Sequence, residues 1–268
     1  MNDSPGNWNI ALIGAGNLAW HLGHALIQKG VKVTQVISRT AVSAQYLAVR
    51  LNAASSNNLS HLSKDTDFCI LCVSDDAIPQ VLNSLEPGNS TVVHTAGSIP
   101  MSVIGGHAHD FGVLYPLQTF TRGRPLEFEK VPLLVEGNSP EALQKISRLA
   151  GSISSLVIKT DSDQRLYLHL AAVIASNFAN HMYALAEKLT LEYGLSFELL
   201  KPLIEETTAK AIAISPLEAQ TGPAVRRNKI TIEKHLALLQ EHPDLQQLYL
   251  LISDSITRMT RDVGTNDH

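Results

Sequence analysis

The feature that most constrains this chain is a glycine-rich turn near its amino terminus. A short apolar run over residues 10–13 leads into Gly14, Gly16 and Ala19, which are spaced as Gly-x-Gly-x-x-Ala, and a helix-like segment follows. A dinucleotide-binding βαβ unit has this order of strand, turn and helix, whereas an ordinary glycine-rich turn is the alternative. Gly14 allows the tight turn, Gly16 lets a pyrophosphate lie against the backbone, and Ala19 lets the helix pack closely on the sheet. We therefore predict phosphate contacts at the start of this helix, from Gly14, Ala15, Gly16, Asn17 and Leu18.

The end of the second predicted strand, residues 31–37, indicates the type of dinucleotide. Enzymes that use NAD usually carry Asp or Glu there, and the carboxylate binds the ribose 2′-hydroxyl. This chain has Ser38, Arg39 and Thr40 instead. A guanidinium beside two hydroxyls suits a 2′-phosphate, so the sequence predicts NADP (NADPH) as the cofactor. The alternative is that Ser38 and Thr40 cap the next helix while Arg39 lies in solvent.

Strand-like and helix-like segments alternate over the first part of the chain, and helix-like segments alone follow residue 161. This pattern predicts an α/β fold, in which an N-terminal Rossmann domain with a doubly wound, mainly parallel sheet is followed by an all-α C-terminal domain. The predicted domains are residues 1–160, which bind NADP, and residues 161–268, which serve substrate binding and dimerisation. The predicted strands lie near residues 8–13, 31–37, 67–73, 91–95, 111–115, 131–136 and 154–159. The predicted helices lie near residues 17–29, 40–52, 77–84, 140–150, 162–193, 197–214, 229–240 and 244–262.

Ligands bind such sheets at the carboxyl ends of the strands, so the residues that follow each strand are candidates for the site. Val73 and Ser74 follow one strand, and His94 and Ala96 lie at the end of the next. We predict that these four residues contact the cofactor, with Ser74 and His94 beside its nicotinamide ring. The alternatives are a helix cap in the loop after Ser74 and a structural role for His94.

The substrate is expected beside that ring. Gly97 and Ser98 continue the loop after His94, and Gln118 lies in the loop after the following strand. Small residues and hydrogen-bonding side chains at this edge of the sheet predict substrate contacts, and a plain loop is the alternative.

A turn in the helical half is a second candidate for substrate binding. Thr221, Gly222 and Arg226 lie between two predicted helices, where a guanidinium precedes a helix start. This combination suits a carboxylate, whereas a turn with surface arginines is the alternative.

The long predicted helix at residues 162–193 has a polar face. Histidine ordinarily titrates near neutral pH, so we predict that His169 transfers a proton, with Asn177 or Asn180 orienting the substrate. A solvated face is the alternative. At ~100° per residue, the polar side chains that fall within about 40° of His169 include Arg165, Ser176, Asn180, Tyr183 and Glu187.

The composition limits the classes of partner. The chain has 268 residues with a net charge of −4, which argues against nucleic acid or an anionic membrane as a partner. No apolar run approaches the ~20 residues that span a bilayer, and the start of the chain does not resemble a signal peptide. We therefore expect a cytoplasmic protein that acts on a small molecule.

The cysteines and histidines do not predict a metal site. Cys69 and Cys72 are spaced as Cys-x-x-Cys, but on a strand these positions point to opposite faces, which predicts buried structural thiols. The chain has 11 histidines, including the pairs His21/His24 and His107/His109, and no pair comes with a carboxylate or a cysteine at ligand spacing on one face.

Together these motifs resemble a known family, the two-domain Rossmann-like NADP oxidoreductases whose C-terminal helical half is a domain of unknown function. The family is similar in layout to pyrroline-5-carboxylate reductase, ketopantoate reductase and the 6-phosphogluconate or hydroxyisobutyrate dehydrogenases. The resemblance covers nearly the whole chain, and it implies an NADP-binding domain and a helical domain that forms a homodimer. The motifs that carry it lie at residues 14–19, 38–39, 94–98, 115–120, 167–177 and 221–226.

The chain departs from these relatives at two positions. Hydroxyisobutyrate-type enzymes carry a catalytic lysine on the long helix, and no lysine lies between Lys159 and Lys188 here. Tyr115 also occupies a position where relatives often have histidine.

We expect an NADP-dependent oxidoreductase that transfers hydride to or from a small substrate with a carboxylate, carbonyl or imine group. The first alternative is a non-catalytic NADP(H)-binding sensor or regulatory protein, which the missing lysine favours. A scaffold that has lost the cofactor is the second alternative.

Overall fold

The computed structural model describes residues 5–263 of the chain, with side chains through residue 260. Its strands are β1 (Asn9–Ile13), β2 (Lys32–Ile37), β3 (Ala54–Ser56), β4 (Phe68–Leu71), β5 (Thr91–His94), β6 (Phe111–Pro116), β7 (Leu133–Gly137) and β8 (Val157–Lys159). Its α-helices are α1 (Asn17–Gln28), α2 (Ala41–Leu51), α3 (Ile78–Ser84), α4 (Pro140–Ile153), α5 (Ser162–Ala172), α6 (Ala179–Glu192), α7 (Lys201–Ala213), α8 (Lys229–Leu238) and α9 (Pro243–Val263).

The eight strands form one sheet in the order β3-β2-β1-β4-β5-β6-β7-β8. Neighbouring strands are parallel except for β6 and β7, which are antiparallel. This confirms the predicted α/β class and the mainly parallel sheet. The sequence missed β3, because an exposed Ala-Ser-Ser edge strand has no apolar alternation to mark it.

Apolar side chains cover both faces of the sheet and form two core clusters. Cys72 packs into one cluster and Cys69 into the other, so the two thiols lie on opposite faces, as the strand geometry predicts. Both are free and buried. Burial raises the pKa of Cys69 to about 11 and that of Cys72 to about 12, so both thiols stay protonated at neutral pH. The prediction of structural thiols is confirmed.

The described chain divides into two compact units, one ending at Asn177 and the other beginning at Phe178. The change from sheet to helix occurs earlier, between Lys159 and Ser162, where the sequence places its domain boundary. Helix α5 belongs to the first unit because its side chains bond to loops of the sheet.

The predicted helix at residues 162–193 contains an interruption. Val173–Phe178 is π-helical and separates α5 from α6. A π turn closes hydrogen bonds five residues apart, so each inserted residue rotates the following side chains by ~100°. The helical wheel that placed Asn180 and His169 on one stripe is therefore wrong beyond residue 172.

The second unit buries few side chains. Among its described residues, only Ala224, Leu239 and Ser253 are buried. Between residues 5 and 263, the model contains no helix whose length and hydropathy would let it span a membrane.

Candidate functional site

The turn after β1 requires glycine at its first position. Gly14 has a φ of +116°, and a Cβ there would lie 2.2 Å from the carbonyl oxygen of Cys72. Its N–H donates to the carbonyl of Ile37 at 2.7 Å. The turn therefore lies directly against the ends of β2 and β4, which no other residue type would permit.

The second glycine of the turn has a different explanation. Gly16 is the N-cap of α1 with ordinary extended angles, φ −79° and ψ −170°, and a Cβ there would meet no atom within 4 Å. No side chain caps α1, and its first turn carries no acidic residue. The protein's own packing therefore does not require glycine here, whereas a phosphate lying on the free N–H groups would require it. The turn fits the predicted dinucleotide. Leu18 is half-buried against the core, so only its backbone can contribute to such a contact.

A cavity of about 460 Å³ opens at the carboxyl ends of β1, β2 and β4. This is the edge of the sheet where ligands bind in folds of this type. The predicted cofactor residues that line it are Gly14, Ala15, Ser38, Arg39, Thr40, Val73 and Ser74.

The proposed 2′-phosphate position combines two roles that the sequence left as alternatives. Thr40 caps α2, because its Oγ1 accepts the N–H of Ser43 at 3.3 Å, and it also donates to the Ser43 hydroxyl at 2.7 Å. Both residues line the cavity together with Ser38 and Arg39. Arg39 is exposed, and within residues 5–260 its guanidinium has no hydrogen-bonding or acidic partner. It is therefore available to an anion in the cavity.

Three further polar residues line this cavity that the sequence did not predict, namely Ser43, Asn57 and Gln80. The spacing Thr40-x-x-Ser43 is a signal of helix capping that could have identified Ser43. Asn57 follows β3, the strand that sequence patterning did not detect, so no local signal placed it near the site.

A second group of residues surrounds His169. The hydroxyl of Tyr115 lies 2.9 Å from His169 Nδ1, and the two rings meet edge to face with centroids 5.8 Å apart. A Cβ at Gly97 would lie 2.5 Å from His169 Nδ1 and 2.9 Å from Tyr115 Cζ. Gly97 was predicted to contact substrate. It is buried, and its observed role is to make room for this pair.

Arg165 fastens α5 to the loop after β5. Its side chain is fully buried, forms an ion pair with Glu136, and donates to the carbonyls of Gly97 and Ile99. The hydroxyl of Ser162 donates to Glu136 Oε2 at 2.8 Å. Burial lowers the pKa of Arg165 to about 10, so the guanidinium remains charged at neutral pH. The sequence placed Arg165 on a polar face directed at solvent or a cleft. The first half of that face was also expected to pack against another element, and the long side chain of Arg165 does reach into the sheet unit.

His94 has the structural role that the sequence left open. Its side chain is completely buried, and Nδ1 accepts the N–H of Ala96 at 3.2 Å. Burial, followed by the positive charge of Arg165, lowers the pKa of His94 to about 4, so the ring is neutral at physiological pH. Such a histidine offers no exposed surface to a nicotinamide ring. Ala96 is also buried.

A hydrogen bond connects the two groups of residues. Ser98 is exposed, and its hydroxyl donates to Asp75 Oδ2. Asp75 directly follows Ser74, which lines the cavity. Gln118 lies in the loop after β6, where its Oε1 accepts the N–H of Thr119 at 2.8 Å.

The remaining predicted residues lie at the end of the first unit or in the second. Asn177 is the last residue of the first unit, and Asn180 lines a separate cavity of about 420 Å³ in the second. Arg226 is exposed in the turn before α8 that contains Thr221 and Gly222. Asn228 caps α8, because its Oδ1 accepts the N–H of Thr231 at 3.1 Å. One of the N–H groups at the start of α8 is therefore already paired.

Among the side chains of residues 5–260, no group of three or more His, Cys, Asp or Glu is arranged to hold a metal ion.

Two family models match the chain. Residues 9–97 match a model described as NADP oxidoreductase, coenzyme F420-dependent, and residues 131–256 match a domain of unknown function, DUF2520. A comparison with curated proteins found no match.

Solved structures resemble the chain over nearly its full length. A Bacteroides fragilis protein assigned as an NADP oxidoreductase is 42% identical with a TM-score of 0.91, and the match covers 95% of this chain and all of that one. A 1-pyrroline-5-carboxylate reductase from Streptococcus pyogenes is 14% identical with a TM-score of 0.61, over 93% of this chain and 98% of its own. A reductive aminase from Aspergillus terreus, solved with NADPH and ethyl levulinate, is 17% identical with a TM-score of 0.68, over 95% of this chain and 94% of its own. The last two share the fold alone.

Proposed function

We propose a function from one premise: the chain belongs to the two-domain NADP oxidoreductase family that includes its Bacteroides fragilis relative. The cofactor of this family is NADP. Within that general activity, we propose that the substrate is a small molecule with a carbonyl or imine group and a carboxylate. The open turn at Gly16, beside a cavity that presents an unpaired Arg39, supports the NADP site. The observation that carries the substrate class is the Tyr115–His169 pair, whose hydroxyl oxygen and Nδ1 lie 2.9 Å apart.

Bound NADPH would supply a hydride to the carbon of a C=O or C=N bond. The oxygen or nitrogen of that bond then needs a proton, and we propose that His169 provides it. In this step His169 gives the proton from Nε2 in its protonated form, Nδ1–H donates to the hydroxyl oxygen of Tyr115, and a neutral ring remains. Burial raises the pKa of Tyr115, so this hydroxyl keeps its own proton. The pair therefore orients a donor N–H, which a passive sensor would not need.

The names of two structural neighbours support the proposed class of substrate. A pyrroline carboxylate contains a C=N bond and a carboxylate, and ethyl levulinate contains a ketone. Both proteins share only the fold with this chain, so the substrate class rests on the chemistry of the His169 pair and is tested directly.

The test of the proposed function begins with NADPH titration and continues with a screen of keto acids and cyclic imines, followed by NADPH absorbance. NADPH binding together with oxidation in the presence of one of these compounds is the expected result. Tight binding with no oxidation by any compound would favour the sensor alternative. A chain that binds neither NADPH nor NADH would overturn the proposal.

His169→Asn is expected to lower turnover by about 10²- to 10⁴-fold, because a general acid contributes an effect of this size. The affinity for NADPH is expected to stay within about twofold, since His169 does not line the cofactor cavity. Tyr115→Phe, which removes only the orienting hydroxyl, is expected to lower turnover by a smaller factor than His169→Asn. The matched control is His109→Asn, a substitution at an exposed histidine. Unchanged turnover in His169→Asn would remove this residue from the mechanism.

Arg39→Asp is expected to weaken NADPH binding about 100-fold and NADH binding only slightly. The substitution removes a charge-assisted hydrogen bond to the 2′-phosphate and adds a repelling carboxylate, and NADH has no group at that position. Isothermal titration calorimetry of the wild type and the variant with each nucleotide measures the two losses of affinity. Equal weakening of NADPH and NADH would contradict the proposed contact.

We also propose that the chain forms a homodimer through its C-terminal helical half. The second unit buries almost no side chains, while Leu199, Leu203, Ile212 and Leu251 are each more than 60% exposed. An isolated helical unit with so much exposed apolar surface is expected to cover it with a partner. Sedimentation of the purified chain as a monomer at micromolar concentration would contradict this proposal.

The roles proposed from the sequence for Asn177, Asn180, Thr221, Gly222 and Arg226 remain predictions, as does a cytoplasmic location.

A further inference from the structure

The loop after β6 is attached to the dinucleotide turn through three consecutive residues. The side chain of Asn17 donates to the carbonyl of Phe120 at 3.0 Å, and His21 Nε2 lies 3.0 Å from the carbonyl of Thr121. The guanidinium of Arg122 then donates from Nη2 to the carbonyl of Ala15 at 2.8 Å. This last bond places a positive charge on the turn where the phosphates are expected.

Aromatic rings hold the loop and its arginine in place. Phe120 stacks on Phe128 with centroids 6.1 Å apart. The guanidinium of Arg122 lies 5.3 Å from the ring centroid of Trp20 and 5.1 Å from that of Tyr46. Arg122 is therefore oriented by contacts on two sides before any ligand arrives, which reduces the entropy that a ligand contact would cost.

The charge of Arg122 is not neutralised by the protein. Within residues 5–260, Arg122 has no carboxylate partner, and Ala15 accepts a hydrogen bond from only one of its nitrogen atoms. The neighbouring start of α1 has no acidic residue in its first turn. A cation beside the positive end of a helix is unfavourable unless an anion lies with them. Gly16 leaves open space at the same turn.

We propose that Arg122 binds the pyrophosphate of NADP, as a cation supplied by the loop after β6, and that Arg39 separately binds the 2′-phosphate. The proposal rests on the proposed function only in that the chain binds NADP. No local pattern in the sequence indicates this role, since 107 residues separate Arg122 from Ala15.

The test compares three ligands that contain different phosphates. NADPH has both the pyrophosphate and the 2′-phosphate, NADH has only the pyrophosphate, and adenosine 2′-monophosphate has only the 2′-phosphate. Calorimetric titrations use the full-length wild type, Arg122→Gln, Arg39→Gln and the control Arg124→Gln. Arg124 is an exposed arginine of the same loop, and no hydrogen bond or ion pair is formed by its side chain within residues 5–260.

Arg122→Gln is expected to lower the affinities for NADPH and NADH by the same factor, ~10- to 100-fold. Its affinity for adenosine 2′-monophosphate is expected to stay at the wild-type value. Arg39→Gln is expected to lower the affinities for NADPH and adenosine 2′-monophosphate and to leave the affinity for NADH unchanged. Arg124→Gln is expected to match the wild type. Unchanged affinities in Arg122→Gln, or a loss that extends to adenosine 2′-monophosphate, would overturn the proposal.

A purely structural role for Arg122 predicts a different result. His21→Ala loosens the same loop without removing the guanidinium, and we expect it to change NADPH affinity by less than about threefold. If His21→Ala reproduces the loss seen in Arg122→Gln, then Arg122 acts by holding the loop and the proposal fails. If the wild type binds none of the three ligands, the proposed function fails first, and that outcome is visible without any variant.

Discussion

Gly16→Val is expected to abolish detectable NADPH binding while the protein remains folded. A Cβ at this position meets no protein atom within 4 Å, and the φ of −79° is accessible to any residue, so the added side chain fits the protein. It projects into the space where the pyrophosphate is expected, and we predict a loss of affinity of at least ~100-fold. The expected cost in unfolding free energy is about 1 kcal/mol, because valine is a poorer helix N-cap than glycine.

The neighbouring glycine provides the matched comparison. Gly14→Ala places a Cβ 2.2 Å from the carbonyl oxygen of Cys72 at a φ of +116°, so it is expected to lower the stability of the fold itself. Urea unfolding separates the two variants, and NADPH titration is then interpreted only for the folded one. Wild-type NADPH affinity in Gly16→Val would mean that the turn does not hold the pyrophosphate.

Arg165→Met is expected to destabilise the protein by about 3–5 kcal/mol. The substitution leaves Glu136 as a buried charge without its partner, and breaking a buried ion pair in this way typically has a cost of this size. The carbonyls of Gly97 and Ile99 also lose their donor. Chemical denaturation measures the change in the midpoint and in the unfolding free energy.

Two further variants test the explanation. In the double variant Arg165→Met, Glu136→Leu, no buried charge remains, and much of the stability is expected to return. Lys29→Met breaks the exposed pair with Glu129, and no measurable change in the denaturation midpoint is expected there, because solvent screens the pair. A wild-type denaturation midpoint in Arg165→Met would show that the buried pair does not stabilise the attachment of α5 to the sheet.

Much of the nucleotide-binding half was predictable because its signals are local. Apolar runs bounded by turn residues located seven of the eight strands within three residues of their observed ends. The parallel arrangement then placed the carboxyl ends of β1, β2 and β4 together, which is why Ser38, Arg39 and Ser74 line one cavity. Helix capping by Thr40 was also visible in the sequence, since the capping hydroxyl and the Ser43 N–H that donates to it are three residues apart.

The features that were missed depend on residues that lie far apart along the chain. Arg165 and Glu136 are each ordinary polar residues of an α-helix and a strand, and neither position shows in sequence that the pair is buried. The π-helical segment at Val173–Phe178 changes the direction of every later side chain on the long helix. A helical wheel assumes the same rotation at every residue, so it does not include this change.

The local sequence was therefore enough to specify the elements of the first unit, the glycine turn and the side chains at the strand ends, because periodicity and turn chemistry act over a few residues. Only the tertiary structure brings Tyr115 to His169, 54 residues apart in sequence, and Ala15 to Arg122, 107 residues apart. Such contacts depend on how separate elements pack, and packing is a property of the assembled core rather than of any short segment.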